Sequence, residues 1–402
     1  MPHSTHEHAL HAEPVNQLER IHILDSLRGI AILGILLMNI PGFALPDPVI
    51  YDPGVLNEWS TINFKTWFFF DWTLEGSQRA LFSMLFGAGI ILFISRQEKK
   101  LPGLYPADYF FRRQLWLLVF GLFHAFVLLW FWDILFQYAC LGMIMFVFRR
   151  LSPRKLMIGA GICLLLMLAR ENRDLYLDKK VIGKGEIVAL VDTTITKLTA
   201  KQKADLAAFT EFKNRSTPEE KQKKMEKSLA SVGGNYEDFY EYQSERSFNS
   251  EVKYLYFGGW DILVFMFLGM AFFKTGFLTG NAPLKQYAIL AVIGLGLGLI
   301  ISWYRLQPLI AYKFNFFDYT KNISFEYYEL SRTIRALGIF GFIIVLYKSG
   351  WFKWLFALMR PVGQMAFTNY LMQSILCGLF FYGIGLGMFG KLQRYEMYYV
   401  VL

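Results

Sequence analysis

The sequence predicts an all-α fold: a polytopic integral membrane protein of about nine transmembrane helices, with a charged helical soluble insertion. Three observations predict it. Of 402 residues, 54% are apolar and 18% aromatic against 18% charged, with a mean hydropathy of +0.33; this excludes disordered, collagen-like and ordinary soluble chains. Apolar runs of helix-spanning length recur along most of the chain. One stretch, 170–253, breaks the pattern with 16 Lys/Arg and 15 Asp/Glu.

The elements follow in chain order. Residues 1–20 read as a mobile polar tail; its His3, His6, His8 and His11 are scattered ligands on a flexible segment, so no metal site is predicted there, and no small-residue cleavage site follows the first apolar run. Candidate spans are 26–41, 66–94, 114–130, 133–148, 156–169, 258–273, 286–304, 333–347 and 364–389. Several are shorter than the ~20 residues of a straight span. The short loops carrying Arg96, Lys99, Lys100, Arg112 and Arg113, then Arg149, Arg150, Arg154 and Lys155, then Lys274 and Lys285, then Lys348, Lys353 and Arg360 all fall on one side if the amino terminus is cytoplasmic. The positive-inside rule therefore puts that terminus inside.

The expected organisation is an N-terminal membrane bundle over 21–169, an extracytoplasmic insertion over 170–253 and a C-terminal membrane bundle over 254–402. Stretches such as PEEKQKKMEK in the insertion read as exposed helix with i,i+4 charge pairs. Its sparse apolar residues predict a helical cap over the membrane core, not an independent enzyme domain. Outside it, 25 positive residues face 17 negative ones. That surplus lies beside hydrophobic segments, so it reports topology and not nucleic-acid binding. Runs such as GLGLGL at 294–299 and YGIGLGMFG at 382–390 predict tight helix packing. Cys140, Cys163 and Cys377 sit in apolar runs without metal-ligand spacing, which excludes a disulfide framework and a zinc site.

Polar side chains inside a span cost a few kcal/mol each, so each is a candidate for a site or for a structural pair. Asp25 and Arg28 share a helix face at the membrane edge; they are an interfacial pair or a guanidinium offered to phosphate or carboxylate. Asn39 precedes Pro41, expected to end the first span. Asp71, Glu75, Arg79 and Ser83 recur every four residues and predict one polar stripe through the membrane, cavity-lining or a structural pair. His124 lies in an apolar run, all other histidines being at or before His22. It is the candidate for a buried imidazole base. Asp133, nine residues on, would face the opposite way on a continuous helix, and a bend near Trp130–Trp132 would bring the next span alongside. Arg332 and Arg335 open a late span; Gln364 with Thr368, and Asn369 with Gln373, share faces as interhelical glue or a substrate wall.

LDSLRGIAILGILLMNI at 24–40, RALFSMLFGAGI at 79–90, GLFHAFVLLWFWDIL at 121–135 with Tyr138, GMAFFKTGFL at 269–278 and RPVGQMAFTNYLMQS at 360–374 together resemble the YeiB-like membrane proteins, whose C-terminal half is a domain of unknown function. The resemblance covers most of the membrane part and none of the insertion. Members continue into a last span with a Gly-Pro-x-Glu-Trp type ending, whereas this sequence stops at YEMYYVVL, so the resemblance implies that this span is lacking. The family is distantly similar to transmembrane acyltransferases such as the lysosomal heparan glucosamine acetyltransferase, through the Arg-Gly opening, here Arg28-Gly29. In one branch a catalytic His stands eleven residues after that Arg, where this sequence has Asn39; in the heparan branch it falls in the following loop, and 42–65 contain none.

The resemblance implies a multi-pass protein of a bacterial-type inner membrane that moves an acyl group from cytoplasmic acyl-CoA, a co-substrate and not a bound cofactor, to a hydroxyl or amine of a sugar, glycan or lipid. The residues assigned to this expectation are His124 and Asp133 for catalysis, with Asp71, Glu75, Arg79, Asn39, Asn369 and Gln373 lining the cavity. Arg28, Arg112 and Arg113 would hold the anionic donor, and no metal is expected. Partners are the bilayer and the acceptor, with a homo-oligomer left open. The rival is a transporter or lipid-handling protein whose stripe is a proton or substrate path; a third reading is a signalling or scaffold protein.

Overall fold

A computed structural model describes residues 20–401 apart from 193, 195 and 196. In chain order the helices are α1 (His22–Ala44), α2 (Asp47–Tyr51), α3 (Ile62–Thr73), α4 (Ser77–Lys100), α5 (Tyr105–Phe126), α6 (Leu135–Met145), α7 (Pro153–Ala189), α8 (Ala200–Asn214), α9 (Pro218–Gly233), α10 (Tyr236–Phe248), α11 (Tyr254–Lys274), α12 (Leu284–Ala311), α13 (Phe316–Asn322), α14 (Tyr328–Ser349), α15 (Lys353–Gln364) and α16 (Ala366–Phe381). No strand occurs among the described residues. Four units, His22–Ala44, Ile62–Lys100, Leu284–Ala311 and Tyr328–Ser349, are long and apolar enough to cross a membrane; a fifth is Tyr236–Lys253 with Gly258–Lys274 if that pair, bent by 56°, counts as one span. The protein is thus a multi-pass membrane protein. α5, α6, α7 and α16, where four further spans were expected, fall short of that measure by length or polarity. They still turn apolar side chains outward, among them Trp116, Phe120, Ile162, Leu165 and Leu376, as a lipid-facing surface does.

The core runs through α1, α4, α11 and α14, where Leu27, Ile32, Met84, Phe265, Met266 and Phe340 are buried. Backbones touch where glycines allow it. A Cβ on Gly363 of α15 would stand 1.7 Å from the Asp25 carbonyl oxygen of α1, and one on Gly269 of α11 would stand 1.9 Å from the Met84 carbonyl oxygen of α4. These are the small-residue contacts that hold helices together without help from water.

The basic loops converge on one end of the bundle: the Lys274 ammonium donates to the Leu151 carbonyl at 2.7 Å, and Lys348 donates to Gly280 and Ala282, each at 2.7 Å. At the other end lie α8, α9 and α10, each opened by a side-chain cap from Thr199, Thr217 and Asn235. Lys221 of α9 pairs with Asp52 at 2.6 Å, Arg246 of α10 pairs with Asp47 at 2.6 Å, and the Gly383 amide donates to Val232 at 2.9 Å.

Four details depart from the sequence reading. The run 66–94 is two helices, because Gly76 adopts φ 69° and the chain breaks over 74–76; Arg335 satisfies the freed carbonyls of Trp72 and Glu75. Pro41 lies inside α1, which ends one turn later, so few hydrogen bonds are lost there. The boundary expected at residue 170 falls within α7, which is continuous to Ala189. The glycine run 382–390 is not a packed helix: α16 stops at Phe381 and the chain folds back, the Phe389 amide donating to the Phe381 carbonyl at 2.7 Å.

Candidate functional site

α5 ends at Phe126, and Leu129 turns the chain through φ 57° before α6 starts at Leu135. This reversal lays Asp133 against His124. Asp133 Oδ2 accepts the Phe136 amide at 2.9 Å, which fixes the carboxylate, and Oδ1 lies 2.6 Å from His124 Nδ1. A carboxylate accepts, so Nδ1 carries the proton and Nε2 is left to accept. Nε2 meets Ser374 Oγ of α16 at 2.7 Å. The His124 and Asp133 side chains are fully buried, and Ser374 is 6% exposed. One turn before Ser374, the Tyr370 ring packs edge-on to the imidazole at 5.0 Å, and its hydroxyl is buried with no acceptor for its hydrogen.

Beside this run, at the end away from the basic loops, is a cavity of about 680 Å³. Its walls include Tyr51, Trp132, Gln137, Arg79, Arg246, Asn249, Ser250, and Arg170, Glu171 and Asp174 of α7. Arg79 is held by Asp261 at 2.5 Å; Asp261 also takes Arg332 at 2.6 Å, and Arg332 pairs with Glu329 on the wall. Burial, together with Glu329 and Glu326, pushes the Glu171 carboxyl up to about 8, and its Oε2 is unpartnered. Next to Asn249 and Ser250 the helix widens into a π-turn over Asn249–Lys253, and Glu251 points inward, 1% exposed, with neither oxygen hydrogen-bonded. Burial and the Asp133 carboxylate push its carboxyl up to about 9. Glu171 stands on the cavity wall, where a group able to hold a proton near neutrality is useful, while Glu251 lies behind the wall residues Asn249 and Ser250.

Of the residues expected to line one cavity, only Arg79 does so here. Asp71 of α3 pairs with Arg305 of α12, and Glu75, in the break before α4, accepts from the Tyr328 hydroxyl at 2.8 Å; the break at Gly76 dissolves the four-residue stripe. Asn369 donates to the Val362 carbonyl at 2.9 Å and Gln373 to the Ile32 carbonyl at 3.4 Å, so both tie backbones, and Asn39 is half-buried on α1 away from the cavity walls. Arg28, 2.9 Å from Asp25, lines a pocket of about 140 Å³ at the basic end with Arg20, Arg96 and Gln364. That is below the ~300–1,000 Å³ of ordinary ligand sites. Arg112 pairs with Asp108 at 3.0 Å and Arg113 lies over the Phe93 ring at 5.1 Å, neither of them on that pocket's wall. No group of three His, Cys, Asp or Glu suited to a metal occurs among the described residues, and the His3, His6, His8 and His11 cluster lies outside them. Ser374, Tyr370, Glu171 and Glu251 were not singled out from sequence. Ser374 is 250 residues from His124, and no spacing signals that contact.

Residues 272–402 match the family model described as a protein of unknown function (DUF418). The chain is 29% identical over 392 residues to the uncharacterized protein YxaH of Bacillus subtilis, covering 94% of this chain and 86% of that protein. It is 28% identical over 389 residues to the uncharacterized protein YeiB of Escherichia coli, covering 94% and 87%. An uncharacterized 39.9 kDa protein of the amylase 3' region of Bacillus acidopullulyticus is 30% identical over 201 residues, 50% of this chain and 54% of that protein. No solved structure matches. With its helical membrane fold and two relatives spanning nearly its full length, the chain is similar to the YeiB-like membrane proteins.

Proposed function

We propose that the protein is a membrane-embedded acyltransferase in which His124, oriented by Asp133, is the general base. The basic end faces the cytoplasm by the positive-inside rule, and the 680 Å³ cavity with the capping helices α8–α10 faces outward. The single observation that carries the reading is the buried Asp133–His124–Ser374 hydrogen-bonded run, at 2.6 and 2.7 Å, flanking that cavity. An imidazole with Nδ1 committed to a carboxylate and Nε2 turned to a hydroxyl is built to take that hydroxyl's proton. Trp132 and Tyr51 offer faces for a sugar ring, while Arg79, Arg246, Gln137 and Glu171 offer donors and acceptors to its substituents. The acceptor is accordingly a polyhydroxylated or amino-bearing molecule. On the cytoplasmic side the pocket of about 140 Å³ is too small to enclose an acyl-CoA, so Arg20, Arg28 and Arg96 hold only a phosphate of the donor while its bulk stays outside.

The test is transfer from labelled acetyl-CoA to a panel of sugars, amino sugars and glycolipids by purified protein in liposomes. Transfer is expected, with a loss of at least about 10²-fold in His124→Gln at unchanged melting temperature. Absence of transfer by well-folded wild-type protein overturns the reading. A transporter is the second reading, favoured by the broken helix α3/α4 with Arg335 on its open carbonyls. Solute flux without an acylated product would select it.

A further inference from the structure

We propose that Ser374 is the covalent carrier of the transferred acyl group. This rests on the acyl-transfer reading and adds to it a nucleophile and a two-step course.

The cavity and the basic-end pocket share no wall residue, and His124 and Ser374 both lie behind the walls, between the two. A base that activated the acceptor directly would need donor and acceptor to meet at a buried imidazole from opposite ends of the bundle. A hydroxyl resident at that imidazole separates the encounter into two. Ser374 is such a hydroxyl, 2.7 Å from Nε2 and 6% exposed. Its surroundings favour the role. The helix before it, α15, ends at Gln364 on the donor-side pocket wall. Phe131, Trp132 and Gln137, from the turn and helix around Asp133, stand on the acceptor cavity. The Tyr370 hydroxyl, buried one turn away on the same helix, has its own hydrogen free to donate to an oxyanion formed at an acylated Ser374. Burial excludes the water that would hydrolyse an acyl ester between the steps.

In the first step Nε2 takes the Ser374 proton, Oγ bonds to the thioester carbonyl carbon, the C–S bond breaks and the departing thiolate takes the proton, releasing CoA thiol. In the second, the acceptor hydroxyl or amine gives its proton to Nε2 and attacks the acyl carbon. The Oγ–C bond breaks, and Ser374 recovers the proton.

The experiment uses full-length protein in liposomes with two probes, labelled acetyl-CoA without acceptor and a small fluorophosphonate, each followed by peptide mass spectrometry. Ser374→Ala and Ser374→Cys are run alongside, with thermal unfolding as the folding control. The expected result is an acetyl adduct on the peptide containing Ser374, absent in Ser374→Ala, and in Ser374→Cys converted to a thioester that neutral hydroxylamine removes. Fluorophosphonate labelling of Ser374 that vanishes in His124→Gln supports the nucleophile even without transfer from acetyl-CoA, and then the acyl-CoA donor of the previous section is what fails. Acyl transfer in Ser374→Ala at the wild-type rate overturns the carrier and leaves the acyltransferase standing. Absence of both adducts from well-folded wild-type protein overturns the nucleophile.

Discussion

Replacing Asp261 by Asn tests whether the cavity wall is braced by charge. Asp261 is 3% exposed and accepts from Arg79 at 2.5 Å and Arg332 at 2.6 Å. The amide keeps the shape and loses the charge. Arg332 retains Glu329, but Arg79 is left without a carboxylate. Removing one partner of a buried pair costs about 3–5 kcal/mol, because the other charge stays buried and uncompensated. The Arg79 side chain is 40% exposed on the cavity side, so its orphaned charge is partly solvated and the lower end, about 3 kcal/mol, applies. The reference is Asp108→Asn, which breaks a 3.0 Å pair with Arg112 whose side chains are 46% and 70% exposed; such surface pairs are worth under about 1 kcal/mol. Unfolding of both variants in mild detergent, followed by tryptophan fluorescence, gives the difference. Arg79→Gln added to Asp261→Asn removes the stranded charge and is expected to recover part of the loss. If Asp261→Asn costs no more than Asp108→Asn, or the double variant recovers nothing, the bracing argument is wrong.

Two further outcomes test packing and protonation. Gly363→Ala drives a Cβ to 1.7 Å from the Asp25 carbonyl oxygen, whereas Gly161→Ala meets nothing within 4 Å. The first is expected to lower stability by about 3 kcal/mol or more, backbone having to move off backbone, and the second to raise it by about 0.5–1 kcal/mol; equal shifts in melting temperature would sink the crossing geometry. Glu251, pushed up to about 9 from an ordinary 4.5, holds a proton in the folded state that the unfolded chain has lost. Its contribution is therefore fully present below pH 4.5 and declines as pH rises towards 9. Glu251→Gln is expected to flatten the fall of melting temperature across that window, and identical slopes for the two proteins would refute the buried acid.

The membrane character and most helix positions were legible because a bilayer demands long apolar runs whatever the partners are. The failures share a cause, since each depended on a distant residue or on one backbone angle. The run 66–94 reads as one helix until Gly76 takes φ 69° and Arg335, some 260 residues on in sequence, takes up the Glu75 carbonyl. Pro41 reads as a stop, yet α1 has only three residues left to its end at Ala44, and the missing amide costs little there. GLGLGL and YGIGLGMFG look alike, but Gly294 and Gly298 pack against α14, while the second run folds back across the end of α16.

The same distinction explains the site. His124 and Asp133 were conspicuous as rare polar groups in apolar sequence, and they touch because α5 stops between them and Leu129 turns the chain back. Ser374 in YLMQSIL is indistinguishable from a small packing residue, and its neighbour Gln373, the larger amide, proves to be a backbone tie to Ile32. Glu171 and Glu251 vanished among the insertion's charges, because only the three-dimensional fold separates a solvated carboxylate from a buried one. A count of polar residues therefore finds braces and tools together, and pairing begins to part them. Asp71 is committed to Arg305, and Arg332 to Asp261 and Glu329. The oxygens of Glu251, which feels the Asp133 charge, find no hydrogen-bond partner in a medium where an unpaired polar atom is costly. That contrast is why the acyl-transfer proposal rests on the His124–Ser374 contact and not on the braced Asp71 and Arg332.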